Sequence, residues 1–194
     1  MKPGFYTIMA AQFFSSLADN ALFVAAVELL RGGGGAEWQR AALVPMFALF
    51  YVALAPFVGA FADLVPKGRV MFLSNMLKVG GCLLMLVGVH PLLAYTVVGM
   101  GAAAYSPAKY GILTELLPAS QLVKANGWIE GLTIASIILG VLLGGQLIGH
   151  RVSDVLLAID LPNIDTGIDT PPEAAIALIV ALYFLAAFFN LGIH

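Results

Sequence analysis

Residues 41–89 read AALVPMFALFYVALAPFVGAFADLVPKGRVMFLSNMLKVGGCLLMLVGV, two apolar runs at 41–62 and 70–89 parted by the tight polar loop Val65-Pro66-Lys67-Gly68. A helix needs about 20 residues to cross a bilayer core of about 30 Å. Both runs have that length, so the stretch reads as two membrane-spanning helices joined by a short charged turn. Four more runs qualify, at 5–30, 92–113, 128–148 and 174–193. The connections hold nearly all the helix breakers: Gly32 to Gly35, the Pro66 loop, and His90-Pro91. The fifth connection, 150–173, is the longest and carries Asp154, Asp160, Asp165, Asp169 and Glu173. Its Pro162, Pro171 and Pro172 argue against a long helix there.

Composition agrees. Of 194 residues, 61% are hydrophobic and 10% charged, against about 25% charged in soluble domains. A soluble fold of this size cannot hide that many apolar side chains, because much of its surface must face water. The net charge of −2 and the lack of a Lys/Arg-rich stripe argue against nucleic acid as a partner. Cys82 is the single cysteine, which excludes an intrachain disulfide and a cysteine-based metal site. The first run is too long for a signal sequence and lacks a clear cleavage site, so it reads as a retained helix. No nucleophile–base pair and no metal cluster among the three His point to an enzyme, and no cofactor is implied.

Lys and Arg set orientation. With the N-terminus inside, the inner segments hold Lys2, Lys67, Arg69 and Lys124, and the outer loops Arg31, Arg40 and Arg151. The Lys67/Arg69 loop is the most informative, because it lies tightly between two spans.

Charges at lipid depth cost roughly 2.5–3.5 kcal/mol on insertion scales, so polar groups inside the runs mark a cavity or a partner. Asp19 lies about 21 Å along the first helix from Phe5, at 1.5 Å per residue. With Gln12, Ser15, Ser16 and Asn20 it fits the spacing i, i+3, i+4, i+7, i+8, one helical face. Such a stripe lines a cavity or hydrogen-bonds to a neighbouring helix. Glu28, near the outer end of the run, reads as snorkelling to water. Asn75 and Lys78 stand at i, i+3 in the third run. Lys78 suits a lipid headgroup contact, a structural pair or a substrate role. Glu130, just inside the fifth run, can pair with Lys78 or Lys109.

The fourth run ends in Gly101-Ala102-Ala103-Ala104-Tyr105-Ser106-Pro107-Ala108-Lys109-Tyr110-Gly111. Small residues allow close helix approach, and Pro107 removes a backbone donor and suits a kink. Lys109, just past it, fits a gate, an anionic-headgroup contact or a lysine snorkelling to the inner surface. Gly140-x-x-x-Gly144 in the fifth run is a close-packing pattern. Pro45 and Pro56 in the second run are compatible with bends. A bundle without a transport role would not need these intramembrane polar groups.

The loop after the second run is Gly59-Ala60-Phe61-Ala62-Asp63-Leu64-Val65-Pro66-Lys67-Gly68-Arg69. Gly59 permits close packing, and Asp63 can accept from Lys67 or Arg69. That cluster is either an ordinary charged turn or a latch between two halves of a transporter. The segment resembles the Gly-x-x-x-Asp loop of the major facilitator superfamily, with Pro66 where Gly is usual. Three further segments resemble one family within it, the bacterial lysophospholipid transporters: Ala11-Gln12-Phe13 through Asp19-Asn20-Ala21-Leu22, the Tyr105-Ser106-Pro107-Ala108-Lys109-Tyr110-Gly111 string, and Leu122-Val123-Lys124-Ala125-Asn126-Gly127.

The resemblance implies an all-α membrane protein, with 1–194 forming the N-terminal six-helix half of a twelve-helix transporter, built as two inverted three-helix repeats. It also implies a multi-pass bacterial inner-membrane flippase. The cargo would be lysophosphatidylethanolamine, and lysophosphatidylglycerol as a second one, carried from the outer to the inner leaflet. The partners would be membrane lipid, a C-terminal six-helix half, and an acyltransferase/acyl-carrier-protein synthetase, separate or fused, that re-acylates the product. Asp19, Asn20, Lys78, Tyr105, Lys109 and Glu130 are the candidate substrate-binding residues; Gly59, Asp63, Lys67 and Arg69 form the candidate gating loop. A drug or metabolite antiporter of the same superfamily is the alternative. The fifth run lacks the Gly-Pro signature of drug–proton antiporters, since Gly145 follows Gly144.

Overall fold

The computed structural model describes residues 3–159 and 167–193. Lys2, Asp160, Pro162 and Asp165 lie outside them. Among the described residues seven helices follow in order: α1 (Pro3–Gly32), α2 (Glu37–Leu64), α3 (Lys67–Leu86), α4 (Pro91–Leu116), α5 (Ala119–Ile148), α6 (His150–Leu157) and α7 (Pro171–Leu191). Helices α1, α2, α3, α5 and α7 are long and apolar enough to cross a membrane. Helix α4 is 26 residues long, about 39 Å at 1.5 Å per residue, but Tyr95, Thr96, Tyr105, Ser106 and Lys109 lower its hydropathy. Of these, Tyr95, Thr96, Tyr105 and Lys109 are buried, so its polarity faces the bundle interior.

The packing shows that α4 nevertheless runs through the bundle. Buried apolar residues form two clusters. The near cluster holds Phe5 and Ile8 of α1, Ala62 of α2, Val70 and Met71 of α3, Ala108 to Leu113 of α4, Ala125 and Ile129 of α5, and Ile193 after α7. The far cluster holds Ala18 to Leu30, Leu43, Val79 to Met85, Leu92 to Val98, Leu147, and Ala175 to Tyr183 of the same helices. Followed along the chain, α1 runs from near to far, α2 back, α3 out, α4 back, α5 out and α7 back. Six helices therefore traverse the bundle in alternation, and residues 3 and 193 lie on one side. Lys67, Arg69 and Lys124 stand at that side; Arg31, Arg40 and Arg151 stand at the other, the grouping expected from sequence.

The same alternation makes the repeat inverted. Helix α1 packs on α5 and α7, α4 packs on α2 and α3, and α3 packs on α7. Exchanging α1 with α4, α2 with α5 and α3 with α7 returns the same pairs, while α1 and α4 run in opposite directions. Helices α2 and α5, equivalent under this exchange, are the least buried spans.

Small residues set the close approaches. A Cβ on Gly140 would lie 2.6 Å from the Leu17 carbonyl oxygen, and one on Gly144 2.9 Å from that of Ala21, so the Gly140-x-x-x-Gly144 pattern seats α5 on α1. Gly101 gives α4 the same access to α3, against the Ser74 carbonyl oxygen at 2.7 Å. Between α3 and α4, Gly88 takes φ 89°, a left-handed conformation that favours glycine. His90 then caps α4 by accepting from the Leu92 amide at 3.2 Å.

The start of α5, the fifth connection and the start of α7 differ from the sequence reading. Helix α5 starts at Ala119, not at Trp128, because Pro118 supplies an extended N-cap. Its first turns expose Gln121 and Lys124 while burying Ala125, an amphipathic pattern that hydropathy alone passes over. The fifth connection contains the eight-residue α6, which ends before the prolines. Pro171 and Pro172 open α7 instead of breaking it. Proline is tolerated at the first helical turn, and Thr170 with Glu173 forms a capping box, the Glu173 carboxylate accepting from the Thr170 amide at 3.0 Å.

Candidate functional site

Between the two apolar clusters lies a polar layer. In α1 the stripe expected from sequence faces inward, and Gln12, Ser15 and Ser16 are buried. Both readings of that stripe hold. Gln12 donates to Thr133 Oγ1 of α5 at 3.0 Å, and Ser15 to Asn75 Oδ1 of α3 at 2.8 Å. Gln12, Ser15, Ser16 and Asp19 also line a cavity of about 170 Å³ with Tyr51, Lys78, Tyr105, Ser106, Lys109 and Thr133.

Asp19 is the hub. Lys78 Nζ donates to its Oδ2 at 2.8 Å and to Ser15 Oγ at 2.9 Å. The Tyr183 hydroxyl donates to its Oδ1 at 2.6 Å. One carboxylate thus ties α1 to α3 and α7. Lys78 Nζ also lies 5.2 Å from the Tyr105 ring centroid and 5.6 Å from that of Tyr183, within reach of a cation–π attraction. A lysine this buried stays charged most readily with an anion and hydrogen bonds around it. Lys78 is therefore in a structural pair, one of its three sequence readings. Tyr183 was not singled out from sequence; a lone tyrosine in the run Ala-Ile-Ala-Leu-Ile-Val-Ala-Leu-Tyr-Phe-Leu-Ala-Ala is the signal that marks it.

Lys109 is also buried and lines the same cavity. Its Nζ lies 4.3 Å from the ring centroid of its neighbour Tyr110. Among the described residues it forms no ion pair. The cavity therefore presents two lysines against one aspartate, an excess of one cation. Tyr105 adds a buried hydroxyl without a hydrogen-bond partner among the described residues. Asn20 donates to the Ser16 carbonyl oxygen at 2.8 Å and stands in a second, adjoining cavity. That one, of about 410 Å³, is lined by Phe23, Val44, Phe47, Tyr95, Ile137 and Val141, and shares Ser16, Asp19 and Tyr51 with the first.

Other candidates lie elsewhere. Glu130 is exposed on α5 and accepts from the Tyr110 hydroxyl; it pairs with neither Lys78 nor Lys109 and lines neither cavity. Glu28 pairs with Arg31 at 2.6 Å. Asp63 and Arg69 are exposed. The expected bond from Lys67 or Arg69 to Asp63 is absent among the described residues. Lys67 instead pairs with Glu115 near the end of α4, where Gly111 lets its side chain pass against that helix. Gly59 meets nothing within 4 Å, so it makes no close approach inside this bundle. Among the described residues no group of three or more His, Cys, Asp or Glu is placed to hold a metal ion.

Residues 8–192 match the sequence model of the Major Facilitator Superfamily. The lysophospholipid transporter LplT of Yersinia enterocolitica (serotype O:8 / biotype 1B) is 50% identical over 147 residues, 76% of this chain and 36% of that protein. LplT of Salmonella arizonae is 47% identical over 158 residues, 81% of this chain and 40% of that protein. The chain thus spans about two fifths of the length of these relatives. Among solved structures, a bacterial homologue of the human lysosomal transporter Spinster, inward-facing and unoccupied, aligns over 100% of this chain and 44% of its own, with a TM-score of 0.80 at 20% identity. That likeness concerns the fold alone.

Proposed function

Because this chain belongs to the Major Facilitator Superfamily, we propose that it supplies the N-terminal six-helix half of a transporter that moves lysophospholipids across the bacterial inner membrane. The observation that carries the reading is the pair of adjoining cavities, a small polar one with Lys78, Lys109 and Asp19 and a larger apolar one, sharing Ser16, Asp19 and Tyr51. A lysophospholipid has the same division, one charged head and one acyl chain. The energetic problem lies at the head, because a phosphate taken from water without partners is costly. The chain gains little on leaving lipid and needs only apolar surface. Lys109, which forms no ion pair among the described residues, receives the phosphate, and the Tyr105 hydroxyl donates beside it. Asp19 receives the ammonium of an ethanolamine head.

In this reading the cargo is lysophosphatidylethanolamine, with lysophosphatidylglycerol as a second substrate, carried from the outer to the inner leaflet. The half rocks against a C-terminal six-helix half, exposing the site to either side in turn. An acyltransferase/acyl-carrier-protein synthetase, separate or fused, re-acylates the product. The names of the 47–50% identical relatives support the substrate class. The test is inward movement of labelled lysophosphatidylethanolamine in proteoliposomes of the full-length transporter. Faster movement than in protein-free vesicles is the expected result. Equal movement in both, with the protein folded and inserted, overturns the reading.

A further inference from the structure

The Lys78 ammonium sits in a seat built for a primary ammonium. Its partners are the Asp19 carboxylate at 2.8 Å, the Ser15 hydroxyl at 2.9 Å, and the rings of Tyr105 and Tyr183 at 5.2 and 5.6 Å. Carboxylate, hydroxyl and aromatic faces together are what an R–NH₃⁺ group requires. The two members of the pair differ in access. The Lys78 side chain is 2% exposed and that of Asp19 19%, and Asp19 alone of the two lines both cavities. A ligand ammonium reaching Asp19 from the cavity therefore meets a carboxylate already engaged by a chemically equivalent group from behind.

We propose that Lys78 is an internal stand-in for the ammonium of an ethanolamine headgroup, and that this headgroup is taken up by ion exchange: its ammonium draws Asp19 away from Lys78, and the released Lys78 turns to the phosphate. The proposal rests on the lysophospholipid reading above and assigns Lys78 as a specificity-determining residue within it. No bond is made or broken covalently, and the count of charge is conserved. Before binding, Lys78 and Asp19 neutralise one another and Lys109 stands in excess. After binding, the ammonium neutralises Asp19, and the phosphate faces both lysines. A glycerol headgroup brings a phosphate and no cation, so it leaves the Asp19–Lys78 pair intact and uses Lys109 alone. Both substrates can then share one site by different charge arrangements. The ethanolamine head alone opens the ion pair between α1 and α3, because Asp19 belongs to one helix and Lys78 to the other; the Ser15–Asn75 bond between the same helices is left in place.

The test compares the two substrates in the full-length transporter, with variants matched for insertion and for monodispersity in detergent. In Lys78→Gln the Asp19 carboxylate is unpaired on the cavity wall. The variant's preference for lysophosphatidylethanolamine over lysophosphatidylglycerol is expected to rise at least about tenfold, because the unpaired carboxylate attracts the ammonium of the one and repels the lone phosphate of the other. The double variant D19N/K78Q strands no charge and carries the test if the single one does not fold. It is expected to restore lysophosphatidylglycerol transport to within about threefold of the parent, while lysophosphatidylethanolamine, now without a carboxylate for its ammonium, falls about tenfold below the parent. Equal losses for both substrates in K78Q, or equal recovery of both in the double variant, overturn the exchange and leave a purely structural pair. If the parent moves neither lipid, the transport reading fails and the exchange falls with it; if the parent moves both and only the variant pattern is wrong, the exchange alone fails.

Discussion

Lys78 Nζ lies 2.8 Å from Asp19 Oδ2, an ion pair that joins α3 to α1 between the two apolar clusters of the bundle. Removing one member of a buried pair leaves an uncompensated charge, which costs about 3–5 kcal/mol, whereas removing both costs much less. Asp19→Asn is therefore expected to destabilise the bundle strongly, and D19N/K78Q to recover most of the loss. Thermal unfolding of the purified transporter in detergent checks this. Losses that simply add in the double variant would show that the two groups do not stabilise one another.

A second expectation concerns the seam between α5 and α1. Gly144 and Gly145 are neighbours in sequence with opposite surroundings. A Cβ on Gly144 would meet the Ala21 carbonyl oxygen at 2.9 Å and Val24 Cβ at 2.9 Å; one on Gly145 meets nothing within 4 Å. Gly144→Val is expected to push α5 off α1 and cost about 1–3 kcal/mol through overpacking. Gly145→Ala is expected to be neutral or to gain up to about 1 kcal/mol from helix propensity. Melting temperatures of the two variants decide it, and equal destabilisation would contradict the packing.

Much of this architecture was legible in the sequence, for physical reasons that also mark where reading stopped. Lipid solvates apolar side chains, so spans announce themselves by length, and the Gln12 to Asn20 stripe announces its inward face because polar groups at lipid depth need partners. What hydropathy cannot show is a polar face already buried by packing. Helix α4 falls below the other spans in hydropathy because it carries Tyr105 and Lys109 on its inward face, and the first turns of α5 lie outside the apolar run 128–148 because most of their exposed residues are polar. Partners were less legible than sites. Asp19 was singled out, but its bonds go to Lys78 and Tyr183, 59 and 164 residues away, and nothing local to Asp19 encodes them. The Lys67–Glu115 pair follows the same rule: Asp63 is the nearer carboxylate in sequence but stays exposed, and Glu115 stands 48 residues away.

The third expectation separates those two charges of the loop. Lys67–Glu115 has an exposed carboxylate, and such pairs are worth about 0–1 kcal/mol. Glu115→Gln is expected to lower stability by less than about 1 kcal/mol. Asp63 forms no ion pair among the described residues, so Asp63→Asn is expected to leave the melting temperature unchanged. If Asp63 serves as a latch to the other half, the same substitution slows transport without changing substrate affinity. Transport rate and binding measured side by side check this, and an unchanged rate would remove Asp63 from the switching machinery.

The last expectation assigns the two headgroup charges separately. Lys109 is buried in the polar cavity and free of any carboxylate ion pair among the described residues, so its charge is available to a phosphate. Both lysophosphatidylethanolamine and lysophosphatidylglycerol carry that phosphate. Lys109→Ala is therefore expected to lower uptake of both by about thirty- to a hundredfold, with lysophosphatidylglycerol the more affected because its phosphate has no second lysine, the scale of about 2–3 kcal/mol for a lost charge-assisted contact. Lys109→Arg, which keeps the charge but not the shape, is expected to retain part of it. Asp19 faces the ammonium, which only the ethanolamine head possesses. Asp19→Ala should abolish lysophosphatidylethanolamine uptake and reduce that of lysophosphatidylglycerol less, once rates are normalised to folded protein. The normalisation matters because the same substitution strands Lys78 and lowers stability for every substrate alike. Labelled uptake of both lipids by each variant supplies the comparison. A Lys109→Ala variant that spared either lipid would separate the phosphate from Lys109, and an Asp19→Ala variant that lost both equally would make Asp19 a structural or gating group.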